Sequence, residues 1–88
     1  MKIVYFYSMK HEPDEIRAVA PAHAAYWRGL GLPEYVGGPF ADRSGGLITF
    51  DTETLEVAER IVGADPFVTG GLLEDSAVKQ WTPETSPT

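Results

Sequence analysis

Apolar residues gather along the chain in separate blocks, divided by glycine, proline and acidic clusters. The first block, Lys2-Ile3-Val4-Tyr5-Phe6-Tyr7, is β-branched and aromatic, and it is apolar at consecutive rather than alternate positions. That pattern predicts a strand with both faces covered, central in a sheet. Pro13-Asp14-Glu15 opens a helical turn carrying Ile16, Val19 and Ala20. Pro21 predicts a break there, because proline is most at ease as the first residue of a new helix. Ala22 to Leu30 supplies that new helix, with His23, Tyr26, Trp27 and Leu30 on one stripe and Arg28 off it. Gly29, Gly31 and Pro33 end it.

Glu34 to Phe40 predicts a second strand, which Gly37, Gly38 and Pro39 weaken into an edge or bulged strand with accessible backbone. Asp42-Arg43-Ser44-Gly45 has the composition of a hairpin turn, and Gly46 to Phe50 forms a third strand. Thr54 caps a second helix with Leu55, Ala58, Ile61 and Val62 facing inward and Gly63 closing it. Asp65-Pro66-Phe67 is a fresh start signal, opening one short turn that Gly70-Gly71 ends. Leu72 to Trp81 predicts a fourth strand. Thr82 to Thr88 has no apolar residue and reads as a flexible tail behind a single domain at residues 1–81.

The order β-α-β-β-α-β, with right-handed crossovers, predicts an α+β ferredoxin-like fold. Its antiparallel sheet has strand order 4-1-3-2, with two helices on one face. The central strands are apolar on both sides, so the other face needs cover, and a second copy of the chain is the simplest cover. The expected assembly is a homodimer built sheet against sheet. Its interface takes residues of the first and third strands, such as Tyr5 and Ile48, whichever face points away from the helices.

Composition narrows the partners. With 43% hydrophobic and 23% charged residues the chain has the balance of a globular domain rather than a disordered one. Seven basic residues against thirteen acidic ones leave a net charge of −6, which argues against nucleic acid and acidic membranes. The absence of cysteine removes disulfides, thiolate metal sites and a thiol nucleophile. No run is long and apolar enough to span a membrane and no leader pattern opens the chain, so a cytoplasmic location is expected.

His23 is the first candidate for chemistry. At the start of a helix, the free amide groups and the helix dipole disfavour an added positive charge, and burial acts in the same direction. A neutral imidazole that accepts a proton is one reading; a satisfied core histidine is the other. Asp65 either caps the turn after Pro66 or orients His23 as the second member of an acid–base pair. Asp42 reads as a turn residue beside Ser44, or as a loop carboxylate at a pocket mouth. Tyr7, Tyr26, Trp27, Phe40 and Phe67, with Gly38 and Pro39, are available to line a pocket for a small apolar ligand, or belong to the core and dimer interface. His11 and His23 lack paired ligand spacing, so no metal site is expected.

Three segments resemble the YCII-related (YciI-like) family of small ferredoxin-like proteins. They are Pro21-Ala22-His23-Ala24-Ala25-Tyr26, Gly37-Gly38-Pro39, and Ala64-Asp65-Pro66-Phe67 followed by Gly71-Leu72. The resemblance runs from Met1 to about Trp81. It implies a dimeric α+β barrel with a pocket centred on His23 and Asp65. It also implies a class of chemistry: cofactor-free proton abstraction or elimination on a small cyclic or aromatic compound, as in a dehydrochlorinase (a lyase) or an isomerase. The competing expectation is a dimer that binds a small ligand, or acts as an accessory protein, and catalyses nothing.

Overall fold

The computed structural model describes residues 1–84, so part of the predicted tail, residues 85–88, lies outside the described residues. The elements run β1 (Lys2–Met9), α1 (Pro13–Gly29), β2 (Val36–Pro39), β3 (Gly45–Asp51), α2 (Leu55–Gly63), α3 (Pro66–Thr69) and β4 (Leu73–Gln80). The four strands form one antiparallel sheet in the order β2-β3-β1-β4, which is the predicted ferredoxin-like order read from its other end. Among the described residues no helix is long and apolar enough to cross a membrane.

β1 is central, as its two-sided apolar pattern requires, and its alternation sorts its residues cleanly. Ile3, Tyr5 and Tyr7 are buried on the helix side, and they meet Phe50, Ile48 and Gly46 across the β3 ladder. Trp27 of α1, Ala58 and Val62 of α2, and Phe67 of α3 close over them. On the opposite face Phe6 is 42% exposed and Leu47 40%, and these two pair directly. Val36 on the β2 edge extends the same face. Tyr5 and Ile48 therefore belong to the core beneath the helices, and the apolar face that looks away from them carries Phe6 and Leu47.

The break predicted at Pro21 does not occur. α1 is one continuous helix with Pro21 inside it, so His23 lies in the helix interior and not in a first turn. The argument from free amide groups at a helix start therefore does not apply to His23. The reason is tertiary. Ile16, Ala20, His23 and Trp27 keep one stripe across the proline, and two helices meeting at an angle would lose half of that packing. Pro21 sits on the exposed side, so the carbonyl it leaves unpaired opens away from the core. The start signals behave as local chemistry dictates: Thr54 Oγ1 accepts from Val57 N at 3.1 Å, and Asp65 caps α3.

Candidate functional site

The site is assembled around Asp65, the only charged or polar side chain counted in the buried set of the described residues, with 0% exposure. Its carboxylate is met by three donors. Oδ1 accepts from His23 Nδ1 at 2.8 Å and from the backbone N–H of Phe67 at 2.9 Å. Oδ2 accepts from Trp27 Nε1 at 2.9 Å. Capping and contact with His23 are thus not alternatives, since one oxygen makes both contacts. A carboxylate accepts only, so the hydrogen between Asp65 and His23 sits on Nδ1, which in the neutral ring leaves Nε2 as the acceptor.

The His23 ring is held on its flat side as well. Phe67 stacks on it with centroids 4.1 Å apart and planes at 17°. Tyr7 meets it edge-on, with its hydroxyl 3.4 Å from Nε2. That contact is long for a hydrogen bond, so Nε2 is only weakly engaged by the protein. Tyr7 reaches this position because Gly46 lies opposite it on β3: a Cβ at Gly46 would collide with the Tyr7 hydroxyl.

Burial, with the Asp65 charge as the next cause, pushes the Tyr7 phenol up to about 12 from 10.0. The Tyr5 phenol is raised by the same two causes in the same order. For a group whose folded value lies above its unfolded one, stability is fully present below the unfolded value and is lost as pH rises through the folded one. Chemical melts between pH 9 and 12 are therefore expected to show stability falling from about pH 10 upward. Tyr7→Phe should show a shallower fall, because one of the three raised phenols, Tyr5, Tyr7 and Tyr26, is gone; a fall as steep as in the wild type would disprove the assignment.

A cavity of about 420 Å³ opens beside this cluster. His23, Tyr7, Phe67, Gly38 and Pro39 line it, together with Gly37, Met9, Ile16, Arg28 and Arg43. The other aromatic candidates lie elsewhere. Trp27 is buried and acts through its indole N–H on Asp65. Tyr26 donates its hydroxyl to the Ile61 carbonyl and ties α1 to α2. Phe40 follows the last residue of β2 on the outer side of the sheet, where it borders Phe6 and Ala77 and is 41% exposed. Asp42 is exposed and accepts from the Ser44 hydroxyl at 2.6 Å and the Ser44 amide at 2.9 Å, bonds that hold its carboxyl below the usual range. Its place is in the turn.

Sequence reasoning missed Arg28, Arg43, Met9 and Ile16 as cavity residues. The signal for Arg28 was its place beside, rather than on, the apolar stripe, which is where a helix presents the flank of a cleft. Among the described residues no group of three or more His, Asp and Glu side chains is placed to hold a metal ion. The cavity wall is mostly apolar, with His23, Tyr7, Arg28 and Arg43 as its polar residues. Such a wall can bind a small ring and exchange a proton with it.

Fold and site together define a small α+β protein with a buried carboxylate behind a cavity-facing histidine. The chain matches the YCII-related domain over residues 1–82, and it belongs to that family. No curated protein sequence matches it. Among solved structures it is similar to the 5-chloro-2-hydroxyhydroquinone dehydrochlorinase of Burkholderia phenoliruptrix AC1100, in complex with 2,5-dihydroxybenzoquinone. The TM-score is 0.80 and the identity 22%, over 93% of this chain and 94% of that one. It is also similar to Rv0793 from Mycobacterium tuberculosis, at TM-score 0.59 and 15% identity over 97% of each chain. A third similar structure is the cofactor-independent oxygenase SnoaB from Streptomyces nogalater, at TM-score 0.55 and 15% identity over 97% of this chain and 93% of that one. At these identities the likeness establishes the fold.

Proposed function

We propose that the protein is a cofactor-free acid–base enzyme acting on a small cyclic or aromatic compound, with His23 as the proton acceptor and Asp65 as its positioning residue. The observation that carries this reading is the 2.8 Å contact between His23 Nδ1 and a fully buried Asp65, in a histidine that lines a cavity of about 420 Å³ and keeps Nε2 clear of the carboxylate. In the reaction Nε2 takes a proton from the bound ring. The electron pair left behind moves into the ring and either expels a leaving group or accepts the proton back at another atom. Asp65 stabilises the imidazolium that forms, and the Phe67 stack fixes the angle of approach. The dehydrochlorinase relative, solved with a quinone, supports a substrate of this size and planarity.

The same reading includes a homodimer. Phe6, Leu47 and Val36 on the outer sheet face are the cover-seeking residues, and a second copy supplies a matching surface.

The test uses two assays on the purified protein: chloride release from 5-chloro-2-hydroxyhydroquinone, and proton–deuterium exchange into small cyclic enols in heavy water followed by NMR. Turnover is expected in at least one, and His23→Gln should lower it by about a hundredfold or more. Full activity in His23→Gln would overturn the role of His23. Binding of the same compounds without turnover would establish the non-catalytic binding protein instead.

A further inference from the structure

The cavity beside His23 has a charge opposite to that of the protein around it. The chain carries thirteen acidic residues against seven basic ones. Yet among the described residues no Asp or Glu lines the cavity, whereas two arginines do. Arg28 comes from the last turn of α1 and Arg43 from the turn between β2 and β3, so the two enter from different elements.

Both are unspent. Of the four arginines, Arg17 pairs with Asp14 and Arg60 with Glu56. Arg28 and Arg43 have no carboxylate partner among the described residues, and Arg28 makes only a 3.3 Å bond from Nε to the Ala24 carbonyl of its own helix. In a chain this acidic, two arginines without a carboxylate partner on one cavity wall are available for a ligand's negative charge.

Arg43 carries a second mark. Its backbone has φ of +65°, in the left-handed region where glycine sits without cost and a residue with a Cβ does not. The turn needs that conformation, for Arg43 N donates to the Phe40 carbonyl at 2.9 Å and brings the chain back into β3. Glycine would meet the need better, and arginine offers the turn nothing that glycine lacks. What arginine adds is a positive charge on a residue that lines the cavity.

We infer that the ring bound beside His23 carries an acidic group, a carboxylate or an ionised hydroxyl, and that Arg28 and Arg43 hold it. This deepens the proposed function and rests on it. It names the substrate class as an anionic cyclic compound. The two guanidinium groups also oppose the negative charge that grows on the ring as Nε2 takes its proton.

The experiment is calorimetric titration of two probes that differ by one carboxylate, 2,5-dihydroxybenzoate and hydroquinone, into the wild type, Arg28→Gln and Arg43→Gly. The wild type is expected to prefer the carboxylate by at least about tenfold, and each variant to lose about tenfold of that preference. Affinity for 2,5-dihydroxybenzoate should fall with added salt while that for hydroquinone holds. Arg43→Gly should melt at a higher temperature than the wild type as it loses the anion, a pairing of opposite signs that general damage cannot produce. Equal affinity for the two probes in the wild type, or an unchanged ratio in both variants, overturns the anionic class and leaves the acid–base reading standing. Failure of both probes to bind the wild type removes the aromatic substrate site itself, and both readings fall.

Discussion

Asp65→Ala is expected to lower the stability of the fold by about 4 kcal/mol, the order of cost set by several buried donors left without an acceptor. The carboxylate lies at 0% exposure and accepts from His23, Trp27 and the Phe67 amide, so its loss strands three donors in one place. Each stranded buried group costs about 1–3 kcal/mol, and some of that is recovered as the cluster relaxes. Asp65→Asn is the more instructive variant. Asparagine caps nearly as well as aspartate, so a residue that served only as a cap would tolerate it. Here one of its two terminal atoms becomes an NH2 group and must face either the Trp27 indole N–H or the shared side of His23 and Phe67, donor against donor. A loss of about 1–3 kcal/mol is therefore expected even from asparagine. Wild-type melting in Asp65→Asn would reduce Asp65 to a helix-start residue.

Phe6→Lys combined with Leu47→Lys should convert a dimer into a monomer. Burying one large apolar side chain contributes about 1.5–3 kcal/mol, and a two-fold interface counts each substitution twice. Four such side chains exceed the difference between a micromolar complex and no complex at accessible concentrations. Both positions lie on the face that points away from the core, so thermal stability of the monomer should change little. Sedimentation equilibrium at micromolar concentration checks both proteins, and a monomeric wild type would remove the dimer from the proposal.

The strands and the short helix were legible because their signals are local. β-branched and aromatic runs, and the Asp65-Pro66-Phe67 start, act over a few residues and are decided there. Pro21 shows where local rules stop: the break it predicts is outweighed by packing of Ile16 and Trp27 against one core, which no window of the sequence contains. The alternation in β1 marked two apolar faces but not which of them the helices would choose. The pairing of Trp27 with Asp65 spans 38 positions, and nothing in either neighbourhood announces the other. Phe40 was misplaced by a single step of the sheet. Pro39 lies across from Gly46 on the inner side, so the next residue turns outward and away from the cavity. Arg43 looked like turn composition because its backbone role is local, while its place on the cavity wall depends on how β2 and β3 meet α1.

The two borders of the sheet differ in a way that governs how copies of the chain can accumulate. β2 spans only Val36–Pro39 and includes two glycines and a proline, which has no N–H to offer a further strand. β4 is longer, but Glu74, Asp75 and Lys79 stud it with charge. Neither border is a template for another strand, so growth by strand addition into open-ended fibres is blocked at both ends. The exposed apolar side chains Phe6 and Leu47 lie on the sheet's face, where the proposed pairing about a two-fold axis would use them up and stop at two. An unpaired chain at high dilution thus shows its neighbours a hydrophobic face but no free hydrogen-bonding ladder, which favours reversible pairing over irreversible fibrils.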